Sequence, residues 1–425
     1  MIVTFYYSDW TTGVRMMLSV KRIKEDLEKL AHFTATPGKG VTRLAFTEEE
    51  IKARKYLEEQ MQLASLEIHT DTAGNIFGRK AGRNNDLPVV MFGSHIDSVV
   101  HGGAFDGAAG VVTALEIMRV IHEENISTSL PLEMVVMTEE EGGRFGSGVW
   151  GSRAMIGNVS EDEIYRGKDK KGISKAQAME SFGIDPTTVH EAARKKGSIR
   201  AFLELHVEQG PVLEQKVVDT GIVDSIVGIR TFFVTIWGNA DHAGTTPMTY
   251  RKDALTGASR VIAGIDPIVR NAGKGAVGTV GMLNLEPGAF NIVPEKVEFS
   301  IDLRCSDGET IDSVAQKIKQ DLEQVCGDLD LKYQWEEKLS VPPVIIDHEI
   351  IDIFIKAAEE KKISIHVMPS GAGHDAMVMA SIAPVGMIFV PSRNGKSHCP
   401  EEWTDYDKLA KGVELMLGAV LRLAE

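Results

Sequence analysis

The stretch MFGSHIDSVVHGGAFDGAAG, Met91 to Gly110, follows the apolar run Leu87-Pro88-Val89-Val90 and sets His95, Asp97 and Asp106 among glycines. A short apolar run bounded by turn formers reads as a buried strand, which predicts one over Leu87–Phe92, with His95 just past its end. Ala108 to His122 carries Val111, Leu115, Met118 and Ile121 at helical spacing and is predicted to be a helix. Asp106 then stands immediately before that helix, at the end where negative charge is favoured. A strand, a glycine-rich turn holding ionisable groups and a helix form the unit of an open α/β sheet. Such sheets place their ligands beyond the carboxyl ends of the strands.

The same alternation recurs along the chain. Arg22 to Gln62 has helical spacing interrupted near Thr36-Pro37-Gly38, and Leu130 to Met137 is a second apolar strand that runs into Thr138-Glu139-Glu140-Glu141. This predicts an α/β fold, with a mostly parallel sheet and flanking helices. Around Gly221 the texture changes. Strand-type residues fill Ile226–Trp237, Ala276–Leu285 and Val297–Leu303, and helix-type stretches Asp253–Ala263 and Ile311–Cys326 separate them. After Pro342-Pro343 the first texture returns, with a helix expected over His348–Lys361 and strands over Ile363–Val367 and Ile388–Pro391. The reading is a catalytic domain made of residues 19–223 and 340–425, interrupted by an α+β insertion at 224–339. At 425 residues the chain exceeds one ordinary core, and an insertion of about 110 residues is a plausible domain size.

The formal net charge of -15, with no basic tract, argues against nucleic acid and anionic membranes as partners. No apolar stretch reaches the roughly 18 residues of a membrane span. The first 18 residues lack the pattern of a signal peptide and are expected to be a poorly ordered extension. Three scattered cysteines, Cys305, Cys326 and Cys399, do not make a disulfide framework, and a cytoplasmic setting is expected.

Three further segments share the character of the opening one. Glu139-Glu140-Glu141-Gly142-Gly143-Arg144-Phe145 follows an apolar strand, and adjacent carboxylates there are costly unless solvated or paired with cations. Leu203-Glu204-Leu205-His206-Val207-Glu208-Gln209-Gly210 and Val390-Pro391-Ser392-Arg393-Asn394-Gly395-Lys396-Ser397-His398 each put a histidine at a strand end. Any one of these has an ordinary structural explanation; four at the strand ends of one sheet point to a metal site. His95, Asp106, Glu141, His206 and His398 make five ligands, which suits two ions sharing a carboxylate. Asp106 would bridge, with His95 and His206 on one ion and Glu141 and His398 on the other. Asp97 would hold the His95 ring by accepting its other N–H. Mixed nitrogen and oxygen ligation suits zinc or manganese, with cobalt or nickel also compatible. Glu140, beside the ligand Glu141, is the candidate base for a water shared by the two ions.

Together these segments resemble the dinuclear metallopeptidase and aminoacylase superfamily. More narrowly they resemble its branch of N-carbamoyl-L-amino-acid hydrolases, allantoate amidohydrolases and β-ureidopropionases. The matching motifs include Gly93-Ser94-His95-Ile96-Asp97, Asp106-Gly107, Glu140-Glu141-Gly142, His206-Val207-Glu208-Gln209-Gly210, Asp241-His242-Ala243-Gly244-Thr245-Thr246-Pro247-Met248, Gly371-Ala372-Gly373-His374-Asp375-Ala376 and Ser397-His398. The resemblance implies a catalytic α/β domain with an inserted lid that forms a homodimer, and a small ureido-acid substrate. It also implies that His242, Asn291 and Arg304 of the insertion serve the active site. Arg304 would grip a carboxylate and His242 the developing oxyanion, while Gln209, Asn291 and Gly373 would contact substrate. The function implied is metal-dependent hydrolysis of the carbamoyl C–N bond of N-carbamoyl-L-amino acids. Allantoate is the alternative, and β-ureidopropionase, N-acyl amino acid deacylase or dipeptidase activity stands further off. Cys399 has no base arranged for it, and His101 reads as a loop residue.

Overall fold

The computed structural model describes residues 4–8 and 15–425. It divides into two units. The first comprises the chain up to Asp224 together with Ile346–Met368 and Gly373–Glu425, and the second comprises Ser225–Ile345 with Pro369–Ala372.

The first unit is built on a twisted sheet whose four central strands run parallel, in the order Val385–Val390, Ile199–Val207, Val89–His95 and Leu132–Met137. Antiparallel strands border them: Thr220–Ile226 on one side, Ile76–Lys80 and then Glu67–Thr70 on the other. Every residue of Val89–His95, Leu132–Met137 and Val385–Val390 is buried, as a parallel strand covered on both faces requires. The predicted strand at 87–92 therefore begins later and continues through His95. The predicted helix is Ala108–Glu123, but it is buried from Ala108 to Ile121 rather than along one stripe. Gly110 accounts for the close fit, because a Cβ there would lie 2.4 Å from the Leu205 carbonyl oxygen. Helices Val20–Ala31 and Glu48–Leu63 replace the interrupted helical stretch, the break falling at Thr36-Pro37-Gly38 as its residues suggest. The expected irregular extension falls partly on residues outside those described. Of the rest, Thr4–Ser8 and Arg15–Ser19 pair as an antiparallel hairpin, which corrects that expectation for these segments.

The second unit is an antiparallel sheet with two helices. Gly228–Trp237 lies between Lys296–Cys305 and Lys332–Val341, and Val277–Thr279 and Leu283–Glu286 both pair with Lys296–Cys305. Along Lys296–Cys305 burial alternates residue by residue, so Val297, Phe299, Ile301 and Leu303 face the core. Helices Ala254–Ala272 and Gly308–Asp328 supply Ala258, Val261, Ile318 and Leu322 to the same core. Asp253 caps the first of these helices by accepting from the Leu255 and Thr256 amides. No described helix is long and apolar enough to cross a membrane. The three cysteines are unpaired.

Candidate metal centre

The carboxyl ends of the parallel strands deliver His95 and His206 directly. The loops beyond them deliver Asp106, Glu140, Glu141 and His398. Ligand atoms of His95, Asp106 and His206 all lie within 4.8 Å of one another, and so do those of Asp106, Glu141 and His398. Asp106 thus belongs to both groups. Its Oδ1 is 3.5 Å from His95 Nε2 and 3.2 Å from His206 Nε2, and its Oδ2 is 3.2 Å from His398 Nε2. Glu141 Oε1 is 3.4 Å from His398 Nε2.

Backbone contacts fix which nitrogen of each buried ring faces inward. His95 Nδ1 is 3.1 Å from the Asp97 carbonyl oxygen, and His206 Nδ1 is 2.9 Å from that of Val207. A carbonyl only accepts, so Nδ1 carries a proton and Nε2 is the ring atom turned towards Asp106. Gly107 makes the approach possible. It adopts φ +62°, and a Cβ there would lie 2.4–2.5 Å from the His95 ring atoms.

Asp97 differs in detail from its expected part. Its main-chain oxygen, not its carboxylate, takes the His95 N–H. The carboxylate lies 3.5 Å from Nδ1 and accepts from the amides of Glu140 at 3.0 Å and Glu141 at 3.1 Å. It therefore holds the acidic loop as well as neighbouring the ring. The three consecutive glutamates separate. Glu139 turns into the protein against Lys175 at 2.8 Å, both side chains fully buried, with the ammonium over the Trp150 ring. Glu140 brings its carboxylate to 3.7 Å from His95 Nε2, and Glu141 faces Asp106 and His398.

The electrostatics are those of a pocket short of positive charge. Burial pushes Glu140 well above the usual carboxylate range, and burial together with the Asp106 charge pushes Glu141 up to about 7. His398 is pushed up to about 9 by its hydrogen bond to Asp106, with Glu141 adding to the pull. Burial would raise Asp106, but the three histidines hold it well below its ordinary value. Glu141 Oε1 and Gln209 Oε1 are buried without a hydrogen-bond donor. Inward-facing imidazole nitrogens, clustered carboxylates and orphaned buried oxygens fit divalent cations.

The remaining candidates are placed as follows. Gln209, at φ +58°, donates from Nε2 to Asp106 Oδ2 at 2.8 Å and lies 3.3 Å from His398 Nε2. Gly373 opens the turn before buried His374, whose ring meets His206 edge-on at 4.6 Å, and before Asp375, which accepts from Ser152 Oγ at 2.6 Å. His101 holds a loop through Lys39. In the second unit, the short pairing of Asp241–His242 with Ile292–Val293 brings His242 beside Asn291. His242 Nδ1 accepts from the amides of Gly244 and Thr245, which leaves the proton on Nε2. Arg304 is steadied by Asp302 at 2.9 Å and by the Gly371 carbonyl at 3.0 Å. Sequence reasoning passed over Glu204, Glu402 and Lys175. Glu204 accepts from Ser94 Oγ at 2.7 Å and the Ala376 amide at 3.0 Å, beneath the histidines. Its position two residues before His206 on an alternating strand was the available signal.

A parallel α/β sheet with imidazoles and carboxylates gathered beyond its strand ends has the donor set of a divalent-metal hydrolase. Residues 82–422 match the model of peptidase family M20/M25/M40, and the chain belongs to that family, whose enzymes use divalent metals; it is a hydrolase. The chain is 42% identical over 397 residues to an N-carbamoyl-L-amino-acid amidohydrolase of Paenarthrobacter aurescens, spanning 93% of this chain and 96% of that protein. It is 36% identical to an allantoate amidohydrolase of Escherichia coli (strain K12), spanning 95% and 97% of the two chains. Among solved structures, a hydantoinase/carbamoylase family amidase from Burkholderia multivorans superposes with a TM-score of 0.89 at 33% identity, covering 96% of this chain and 98% of that one.

Proposed function

We propose that the protein hydrolyses the carbamoyl C–N bond of N-carbamoyl-L-amino acids, giving the amino acid, carbon dioxide and ammonia. The observation that carries this is the sharing of Asp106 between two ligand groups with the Glu140 carboxylate alongside. The similarity to named N-carbamoyl-L-amino-acid amidohydrolases favours the ureido acid over other amides. Two divalent ions, zinc or manganese, would be held by His95, His206, Glu141, His398 and the shared Asp106. When bound they would make water more acidic and draw charge from the scissile carbonyl. Glu140 takes the proton of the attacking water and passes it to the leaving nitrogen. His242 donates from Nε2 to the carbonyl oxygen as it gains charge. Arg304 binds the substrate carboxylate, and Asn291, Gln209 and Gly373 orient the ureido group. The second unit is proposed as a lid that also forms a homodimer, and the setting as cytoplasmic.

The second reading is allantoate, favoured by the run Glu139-Glu140-Glu141-Gly142 and by the allantoate amidohydrolases among the relatives. Ammonia release from N-carbamoyl-L-amino acids, allantoate, 3-ureidopropionate, N-acetyl amino acids and dipeptides, after loading with manganese or zinc, separates the readings. Turnover of the carbamoyl amino acids at least tenfold above the rest is expected; preference for dipeptides overturns the proposal. Glu140→Gln should lose about 10²–10⁴ in kcat with unchanged metal content, and activity within a few-fold of the parent would remove Glu140 as the base.

A further inference from the structure

The shared acid is held from the far end of the chain. Glu402, 4% exposed, sets Oε1 2.9 Å from the amide nitrogen of Phe105 and 3.0 Å from that of Asp106. Its Oε2 accepts from Ser397 Oγ at 2.6 Å, and the same hydroxyl lies 3.1 Å from Asp106 Oδ2. Ser397 immediately precedes His398. One carboxylate thus joins the backbone of the residue common to both ligand groups to the loop carrying His398, across 296 positions of sequence. The surroundings are shaped for it. A Cβ on Gly103 would fall 2.0 Å from Glu402 Oε1, so this residue is kept bare to admit the side chain. The ring of Phe105 also meets Trp403 edge-on at 5.3 Å, binding the same two loops through apolar contact.

We infer that Glu402 is a positioning residue of the metal centre, fixing Asp106 against the His398 loop so that the two oxygens of Asp106 serve different histidines. The inference rests on the two-ion reading above. One oxygen accepting from two successive amides fixes the plane of the loop by geometry. Outer partners of this kind are worth about 10–100-fold in metal affinity.

The test is competition for Zn²⁺ between a chromophoric chelator and the metal-stripped full chain, comparing the parent with Glu402→Ala, Glu402→Gln, Gly103→Ala and Ser397→Ala. Glu402→Ala should bind zinc about 10–100-fold more weakly. Glu402→Gln should stay within a few-fold, because its amide oxygen still accepts both N–H groups and its NH₂ reaches Ser397. Gly103→Ala, which leaves Glu402 intact but displaces it, should fall with Glu402→Ala. Circular dichroism and the melting midpoint of the metal-free proteins separate this from a purely structural part, which would lower the midpoint and leave zinc affinity alone. Folded Glu402→Ala with parental affinity overturns the inference, as does Glu402→Gln binding as weakly as the alanine variant. Should Glu402→Ala not fold, Ser397→Ala decides: several-fold weaker binding supports the link, and parental binding overturns it. A parent that takes up no zinc or manganese rejects the two-ion reading itself; a parent that binds while its variants are unaltered rejects only the part given to Glu402.

Discussion

Gly107 shows how much a single position constrains the centre. A methyl group there would strike the His95 ring and would also have to occupy φ +62°. On the two-ion reading, Gly107→Ala should bind at least one ion fewer than the parent, read by elemental analysis after gel filtration, with activity down by roughly 10–100-fold. Parental metal content would refute this. The five proposed ligands were readable only together, since each segment alone has an ordinary structural explanation and it is four of them in one sheet that point to a metal site. Glu402 could not. It stands in a loop beside another glutamate, Glu401, and nothing in Pro400-Glu401-Glu402-Trp403 says which of the two turns inward. Asp97 gave only half its role away. Its spacing from His95 was informative, but its grip on the Glu140 and Glu141 amides depends on two adjacent strands that no local pattern reveals.

The loop after Leu132–Met137 and the short helices that follow it form a charged network under the centre. Lys175 meets Glu139 at 2.8 Å and Glu163 at 3.1 Å, and Arg153 also pairs with Glu163. Removing the cation strands a buried carboxylate. Lys175→Met should cost about 3–5 kcal/mol in urea unfolding, and the added change Glu139→Gln should return more than half of it. A cost below about 1 kcal/mol, the usual value for exposed pairs, would show that the pair is not held dry. Glu163 gives the network a pH dependence. Burial would raise its pKa, but hydrogen bonds from Arg153 and Ser147 and the charge of Lys175 lower it from 4.5 to about 2. A depressed carboxylate stabilises the fold above its ordinary pKa, and that contribution fades as pH falls from about 4.5 towards 2. Glu163→Gln should flatten the loss of stability across that window; an unchanged acid limb would contradict it. The helix at His348–Lys361 was readable because Asp347 caps its start, accepting from the Glu349 amide, and Lys362 ends it in a left-handed conformation, whereas Ala108–Glu123 was readable from its apolar spacing alone. The strand Lys332–Val341 was not. Its residues Lys-Tyr-Gln-Trp-Glu-Glu-Lys-Leu-Ser-Val lie on the border of a one-sided sheet, and all but two of them are exposed.

Taken whole, the chain gathers its ligand groups within the first unit, and none of the grouped residues belongs to the second. Removing divalent ions with a chelator should then act unevenly. An ion at 100 times its dissociation constant contributes roughly 2.7 kcal/mol, so the first unit should melt several degrees lower without it. Amide exchange should quicken at residues 93–110, 138–150 and 390–405 and stay unchanged along Gly228–Trp237 and Lys296–Cys305. Equal quickening in both units would show that the ions stabilise more than their own surroundings. The α/β class was readable because parallel strands covered on both faces are written as unbroken apolar runs, whereas the strands of the second unit alternate.

The two ligand groups are unequal in one respect. The side chains of His95 and His206 are each 1% exposed, while that of His398 is 48% exposed. On the proposed two-ion reading, exchange should be fast at the outer seat and slow at the inner one, since only the former has a histidine side chain that reaches water. A preparation dialysed against a second metal should pass through a mixed-metal stage, one seat renewed and the other still carrying the ion with which the chain first folded. Its composition then depends on history as well as on affinity, and time-resolved elemental analysis showing two exchange phases of equal amplitude would record that memory.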